Sequence, residues 1–331
     1  MKYFILIILF FILNTHLALA IPLRLHLTYY PTIEFAGIYY ALDQGWYKEA
    51  GIDLIPSFKD LNITDNLLSG NYDIAMHSGH EIIRRVSGGD KIKAFAAEYQ
   101  FNPLSLASLP SVKSLNDLRG KTIGIFTEQE KDFLKIIFNS VNIDLSEVKF
   151  KQINLFSVDD LLSDLKKNKY EALPVWAFNH PVAFALKGFN VRQFPSSTNG
   201  FNFYGTVFYA HHTLIKSRAN DLAKFIEITR RGWDQVFKNP EQAVQNHMKK
   251  WYPKDRLIDG NFKLTEKQQL IQLKLSKRYL YEGVGEKRFG FMTSQQWASS
   301  IKTAKFNGLI KQTLLPKDVY TDEILKLVEL K

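Results

Sequence analysis

Leu23-Arg24-Leu25-His26-Leu27-Thr28-Tyr29-Tyr30-Pro31 opens the pattern that decides the fold. Apolar and polar residues alternate through Leu27, as they do in a half-exposed strand. Tyr29-Tyr30-Pro31 ends it, because proline removes a ladder donor and restricts the residue before it. Helical spacing follows over 35–50 (Ile38, Leu42, Trp46), closed by Gly51 where a left-handed cap is wanted. Residues 52–55 then predict a strand, 63–69 a short helix, 72–76 a strand, 81–86 a helix and 92–97 a strand. Such alternation with short links specifies an α/β sheet of mainly parallel strands.

The pattern then restarts. Residues 114–121 form a one-turn helix and a turn before a strand at 122–126. A helix at 132–139, an extended segment at 148–153, a helix at 158–167, a strand at 172–175 and a helix at 181–187 follow. No Gly/Ser-rich or Pro-rich segment separates this second unit from the first, so two lobes joined by extended hinge strands are expected, near 104–108 and 207–210. From Ala219 onward apolar residues recur at three- and four-residue spacing over 222–237, 241–250, 266–281 and 294–307. These helices are expected to return to the first lobe and enclose it. The expected division is 21–106 with 206–331 for lobe 1, and 107–205 for lobe 2.

The first twenty residues set the compartment. Lys2 precedes an unbroken apolar run from Tyr3 to Leu13, and Leu17-Ala18-Leu19-Ala20 puts small residues at −3 and −1 of a cut after Ala20. This is the plan of a cleaved secretory signal peptide, and the run is short for the ~20 residues that span a bilayer. Cysteine is absent, which excludes disulfides, thiolate metal sites, Cys nucleophiles and a lipid-bearing cysteine. A free periplasmic protein is the simplest fit. The formal net charge is +10, yet the basic residues are scattered (Lys166-Lys167, Arg230-Arg231, Lys249-Lys250). They predict a solvated basic face and no nucleic-acid partner.

The segment Pro31-Thr32-Ile33-Glu34-Phe35-Ala36-Gly37-Ile38-Tyr39-Tyr40-Ala41-Leu42-Asp43-Gln44-Gly45-Trp46-Tyr47-Lys48-Glu49-Ala50-Gly51-Ile52-Asp53-Leu54 resembles the opening of the thiamine-pyrimidine branch of periplasmic solute-binding proteins. Further landmarks agree in order: Gly70-Asn71-Tyr72-Asp73-Ile74-Ala75, residues 114–121 with Ile123-Gly124, Phe225 to Pro240, and Gly290-Phe291-Met292 running on to Trp297 and Gly308-Leu309-Ile310. The resemblance implies a type II periplasmic-binding fold, two α/β lobes closing on a ligand. It also implies an aminopyrimidine-like thiamine precursor passed to the membrane subunits of an ABC importer. A monomer without a cofactor is expected. A sulfonate, taurine-like or other small organic solute is the alternative ligand.

The family also contains a synthase that builds the pyrimidine from pyridoxal phosphate and one of its own histidines. That enzyme has a Lys and a His where this chain has His77 and Glu81. It has a cysteine-rich run where this chain reads Phe201-Asn202-Phe203-Tyr204-Gly205. Its glycine-bearing turn is replaced here by Thr127-Glu128-Gln129-Glu130. Each departure removes a part of that chemistry, so no catalytic residues and no enzyme activity are expected.

In doubly wound sheets, ligands sit at the carboxyl ends of the strands. That rule selects four places, 28–35, 77–80, 127–130 and 176–180, with 201–204 as a fifth. Tyr29 and Tyr30 follow the first strand directly, and one ring is expected to face the cleft, Tyr29 by the resemblance. Glu34 is either an acceptor for an exocyclic amine or a solvated first-turn acid. His77 and Ser78 are hydrogen-bonding candidates. His80 stands three residues from His77, but no third ligand is nearby, so no metal is expected. Thr127 and Glu128 belong to the turn of the second lobe. Trp176 is the candidate lid over a flat ring, with Asn179 close behind it, and Asn202 and Tyr204 offer an amide and a hydroxyl. Gly88-Gly89-Asp90 lacks the remaining glycines of a dinucleotide motif and is a turn.

Overall fold

The computed structural model describes residues 21–58, 62–154, 157–252 and 264–329. The signal peptide expected over residues 1–20 lies outside the described residues. Ten strands are described: β1 (Ile21–His26), β2 (Ile52–Ser57), β3 (Ile74–Ser78), β4 (Ile92–Ala97), β5 (Leu104–Ser108), β6 (Thr122–Ile125), β7 (Lys149–Gln152), β8 (Ala172–Trp176), β9 (Arg192–Pro195) and β10 (Thr206–His211). They form two sheets, ordered β2-β1-β3-β10-β4 and β7-β6-β8-β5-β9.

The two orders are the same plan. In lobe 1, β1 is parallel to β2 and β3, while β10 lies antiparallel between β3 and β4. In lobe 2, β6 is parallel to β7 and β8, while β5 lies antiparallel between β8 and β9. The antiparallel strand is in each case the one that has just crossed from the other lobe. The extended segments expected at the junction are therefore β5 and β10, and the crossings themselves are residues 98–103 and 196–205. The crossings are tied together: Glu98 N and Tyr99 N donate to Thr206 O (2.8 and 3.0 Å), and Gly205 N donates to Tyr99 O (3.0 Å).

Helices cover the first sheet. Ala36–Asp43 lies against Ala219–Lys238. Two glycines set how close they come. A Cβ on Gly232 would stand 2.0 Å from the carbonyl oxygen of Gly37, and one on Gly37 would stand 2.4 Å from the indole of Trp233. Trp233 itself is fully buried. The helix expected over 35–50 is in fact two, Ala36–Asp43 and Trp46–Glu49, broken where Gly45 turns to φ +74°. Strand β9 was not expected: it is an edge strand with only Phe194 buried, so it carries almost no apolar pattern to read.

Candidate functional site

The carboxyl ends of β1, β3, β6 and β8 converge with both crossings on a cleft of about 540 Å³. Lobe 1 supplies Thr28 after β1, His77 and Ser78 at the end of β3, and His80, Glu81, Arg84 and Arg85 from the helix Gly79–Ser87. The crossings supply Asn102, Pro103 and Gly205, and β10 supplies Thr206. Lobe 2 supplies Thr127 and Gln129 after β6 and Trp176 at the end of β8.

Ser78 is the hub of the inner end. Its backbone is held in the ladder opposite Thr206. Its Oγ accepts from Asn102 Nδ2 (2.8 Å) and lies 2.6 Å from His80 Nδ1. Asn102 Oδ1 in turn accepts from Leu104 N (2.9 Å), fixing the amide's orientation. His77 Nδ1 accepts from Ser78 N (2.9 Å), so in the neutral ring Nε2 carries the hydrogen. Burial pushes His77 down and His80 to about 4. Both rings are therefore uncharged at neutral pH and serve as hydrogen-bonding groups, not cations.

Trp176 is fixed by its ladder pairing with Leu104 and by edge contacts to Phe178 and Tyr99, with centroids 5.6 and 6.0 Å away. The helix Glu130–Asn139 begins nearby, and its own Glu130 occupies the start: Oε2 accepts from Phe126 N at 2.8 Å. Burial pushes Glu130 up to about 7, against the pull of the Phe126 and Thr127 amides. At the outer end Arg84 donates to Glu81 from Nε (2.6 Å) and Nη2 (2.5 Å). Arg85 pairs with Asp65 and, at 2.5 Å, with Asp90.

The structure brings four of the expected residues to this cleft: His77, Ser78, Thr127 and Trp176. The others stand elsewhere. Tyr29 is exposed, its ring edge-on to Tyr30 at 5.2 Å, and Tyr30 packs on Phe58 at 5.1 Å. Glu34 is not among the residues lining this cleft, and it is not solvated. It is 6% exposed, and burial pushes its carboxyl up to about 8, so it is mostly protonated at neutral pH. Glu128 points outward and pairs with Lys131 (2.7 Å). Asn179 Oδ1 accepts from Gln272 Nε2 (2.9 Å) at the lobe junction. Asn202 Oδ1 accepts from Gln296 Nε2 (3.1 Å) on a returning helix. Tyr204 is buried, its hydroxyl accepting from Thr293 N (2.8 Å) and its ring packed 5.3 Å from Trp297. Asn179 follows a strand and Asn202 and Tyr204 precede β10, but the C-terminal helices claim all three.

Asn102 and the Glu81–Arg84–Arg85 face were not expected. The helix face carried a signal, acidic and basic residues at i, i+3 and i+4 directly after the His77–His80 turn. Asn102 carried none, since its role depends on the crossing.

Comparison with known proteins places this architecture. The NMT1/THI5-like family profile matches residues 32–243. The zinc-bound ligand-binding component of an ABC-type import system from Staphylococcus aureus superposes with a TM-score of 0.66 at 12% identity, covering 92% of this chain and 98% of that one. The periplasmic aliphatic sulphonate-binding protein SsuA of Escherichia coli gives 0.64 at 13% identity, covering 92% and 99%. The fold is thus that of the type II periplasmic binding proteins. The chain belongs to the NMT1/THI5-like family. The riboflavin-binding protein RibY of Chloroflexus aurantiacus is 23% identical over 317 residues, 91% of this chain and 85% of RibY.

Proposed function

We propose that this protein is the solute-capturing component of an ABC importer and that its ligand is a flat, pyrimidine-containing heterocycle. The observation that carries the reading is Trp176, presented by lobe 2 into the same cleft as the Ser78–His80–Asn102 network. An indole face gives a planar ring a stacking surface, and uncharged hydroxyl, imidazole and amide groups suit the ring's nitrogens and carbonyls. Of the expected contacts, His77, Ser78, Thr127 and Trp176 remain in the proposed site. An aminopyrimidine of the thiamine-precursor kind fits this description, and the resemblance to RibY favours a flavin within the same class.

The protein would work after export to the periplasm, as a monomer, with lobe 1 formed by residues 21–106 and 206–331 and lobe 2 by 107–205. Capture would follow rotation of the lobes about the two crossings, and the loaded form would dock on the importer's membrane subunits. We read no enzyme here: the position where the family's synthase carries its Schiff-base lysine is His77, a neutral ring hydrogen-bonded to backbone. Its phosphate turn is filled by Glu130.

A thermal-shift screen tests this with an aminopyrimidine thiamine precursor, riboflavin, pyridoxal phosphate and an alkanesulfonate. A heterocycle at 100 times its dissociation constant should add about 2.7 kcal/mol. Trp176→Ala should weaken that ligand by about tenfold or more, on the order of 1.4 kcal/mol. Stabilisation by the sulfonate alone would replace the heterocycle reading with the sulfonate one.

A further inference from the structure

The cleft has two ends that differ in kind. The inner end is the uncharged network around Ser78 with Trp176 beside it. The outer end begins about 9 Å along the helix from Ser78, at 1.5 Å per residue, where Arg84 projects. Four charged side chains line that end, and each is already answered. Arg84 is held in a two-point bond by Glu81, and Arg85 lies between Asp65 and Asp90. On the facing lobe an anion would seek the amides at the start of the helix Glu130–Asn139, but those of Glu130, Lys131 and Asp132 already donate to the carbonyls of Thr127, Glu128 and Gln129, and Phe126 N is taken by Glu130. His77 and His80 contribute no positive charge.

An anionic group entering here would stand beside Glu81 and Asp65, whose charges already answer the arginines, and would bring negative groups together out of water. An alkyl chain would bury the paired groups without hydrogen bonds. A hydroxyl meets neither obstacle. It donates to a carboxylate oxygen and accepts from a guanidinium N–H at once, and Thr127 and Gln129 of the facing lobe offer the same dual capacity. We propose that the ligand carries a neutral, hydroxylated chain that runs from the ring at Trp176 to the Glu81–Arg84 and Asp65–Arg85 pairs. This rests on the heterocycle reading and narrows it.

The test titrates the purified protein with four probes: lumichrome, which is a ring alone; riboflavin, the ring with a neutral polyol; flavin mononucleotide, the same chain ended by phosphate; and a tail-less aminopyrimidine. Riboflavin should bind about tenfold or more tighter than each of the other three. Glu81→Gln, which frees Arg84 from its partner, should cost riboflavin about tenfold and narrow its lead over the phosphorylated flavin. Lumichrome affinity should not change, which also reports that the variant is folded. Equal affinity for bare and tailed rings would overturn the hydroxylated chain and leave the heterocycle standing. Tighter binding of the phosphorylated flavin, or of the aminopyrimidine, would do the same. Failure of all four rings to bind would overturn the heterocycle reading and the chain with it.

Discussion

The two lobes share one strand order and differ in how they are clothed. Lobe 1 is wrapped by Ala36–Asp43, Ala219–Lys238 and Glu323–Glu329, which bury Trp233, Phe225 and Ile324 against its sheet. Lobe 2 leaves both edge strands largely bare: Lys149–Gln152 has no buried residue, and Arg192–Pro195 has one. The difference teaches which lobe is the platform. Ser78, His80, Glu81 and Arg84 come from the wrapped lobe, whereas the lighter lobe brings Trp176, Thr127 and Gln129.

The sharpest way to break that contrast is Gly232→Val. The added side chain would start 2.0 Å from the Gly37 carbonyl, and neither helix can retreat without uncovering Trp233. Overpacking a tight core commonly costs 1–3 kcal/mol, and contact with backbone puts this case at about 3 kcal/mol or more. On the exposed β9 edge, Gln193→Val should stay within about 0.5 kcal/mol. Urea unfolding of both variants measures the contrast, and equal losses would mean lobe 2 is as tightly built as lobe 1.

The lobes also differ in how they treat a buried acid. Glu130 of lobe 2 has a backbone amide at 2.8 Å. Glu34 is held up at about 8 by burial alone, and Glu98, at the first crossing, has no hydrogen-bond partner for either oxygen among the described residues. Burial, then the nearness of Glu34, raises Glu98 well above its usual range. A carboxyl raised on folding binds its proton more tightly in the native state, so its contribution is present at low pH and lost as pH rises. For Glu34 the window runs from the ordinary value near 4.3 to about 8. Across it, stability should fall by about 1.4 kcal/mol per pH unit for each such group. Glu34→Gln should flatten that slope and raise the melting temperature at pH 8 relative to wild type. A slope unchanged by the variant would mean that Glu34 is hydrated.

How much of this was legible beforehand follows from range. Strand and helix order read out because each element buries a periodic face: 92–97 and 266–281 were expected with the bounds observed. The break at Gly45 was hidden because apolar spacing continues through it. The cleft residues at the carboxyl end of a strand, Ser78 and Trp176, were found by topology alone. Tyr204 and Asn202, expected at the cleft because they precede β10, face Trp297 and Gln296 instead. Nothing local distinguishes a residue at a strand end facing a cleft from one facing a helix that arrives ninety positions later. The matching order of the two sheets left no trace of repeated sequence.

The smallest expected effect tests whether the platform and the mover are coupled. Ile33 N donates to Gln269 Oε1 (3.1 Å), Gln269 bonds to Gln272, and Gln272 Nε2 donates to Asn179 Oδ1 (2.9 Å). The two glutamines are 1% and 3% exposed. This relay joins lobe 1 to lobe 2 through uncharged groups. Rotation of the lobes would break its last link and give Gln272 to water. Asn179→Ala leaves that donor unpaired only when the lobes meet, so it should disfavour closure by about 1 kcal/mol. Affinity for whichever heterocycle binds should drop by about fivefold, because ligand must first restore the closed form. The unfolding midpoint should change little if lobe 2 opens before it unfolds. Calorimetric titration with small-angle scattering separates the cases: reduced affinity with an expanded free protein identifies a closing latch. Lost stability with unchanged affinity would instead make the relay part of a fixed interface, and the lighter lobe would not be a mover at all.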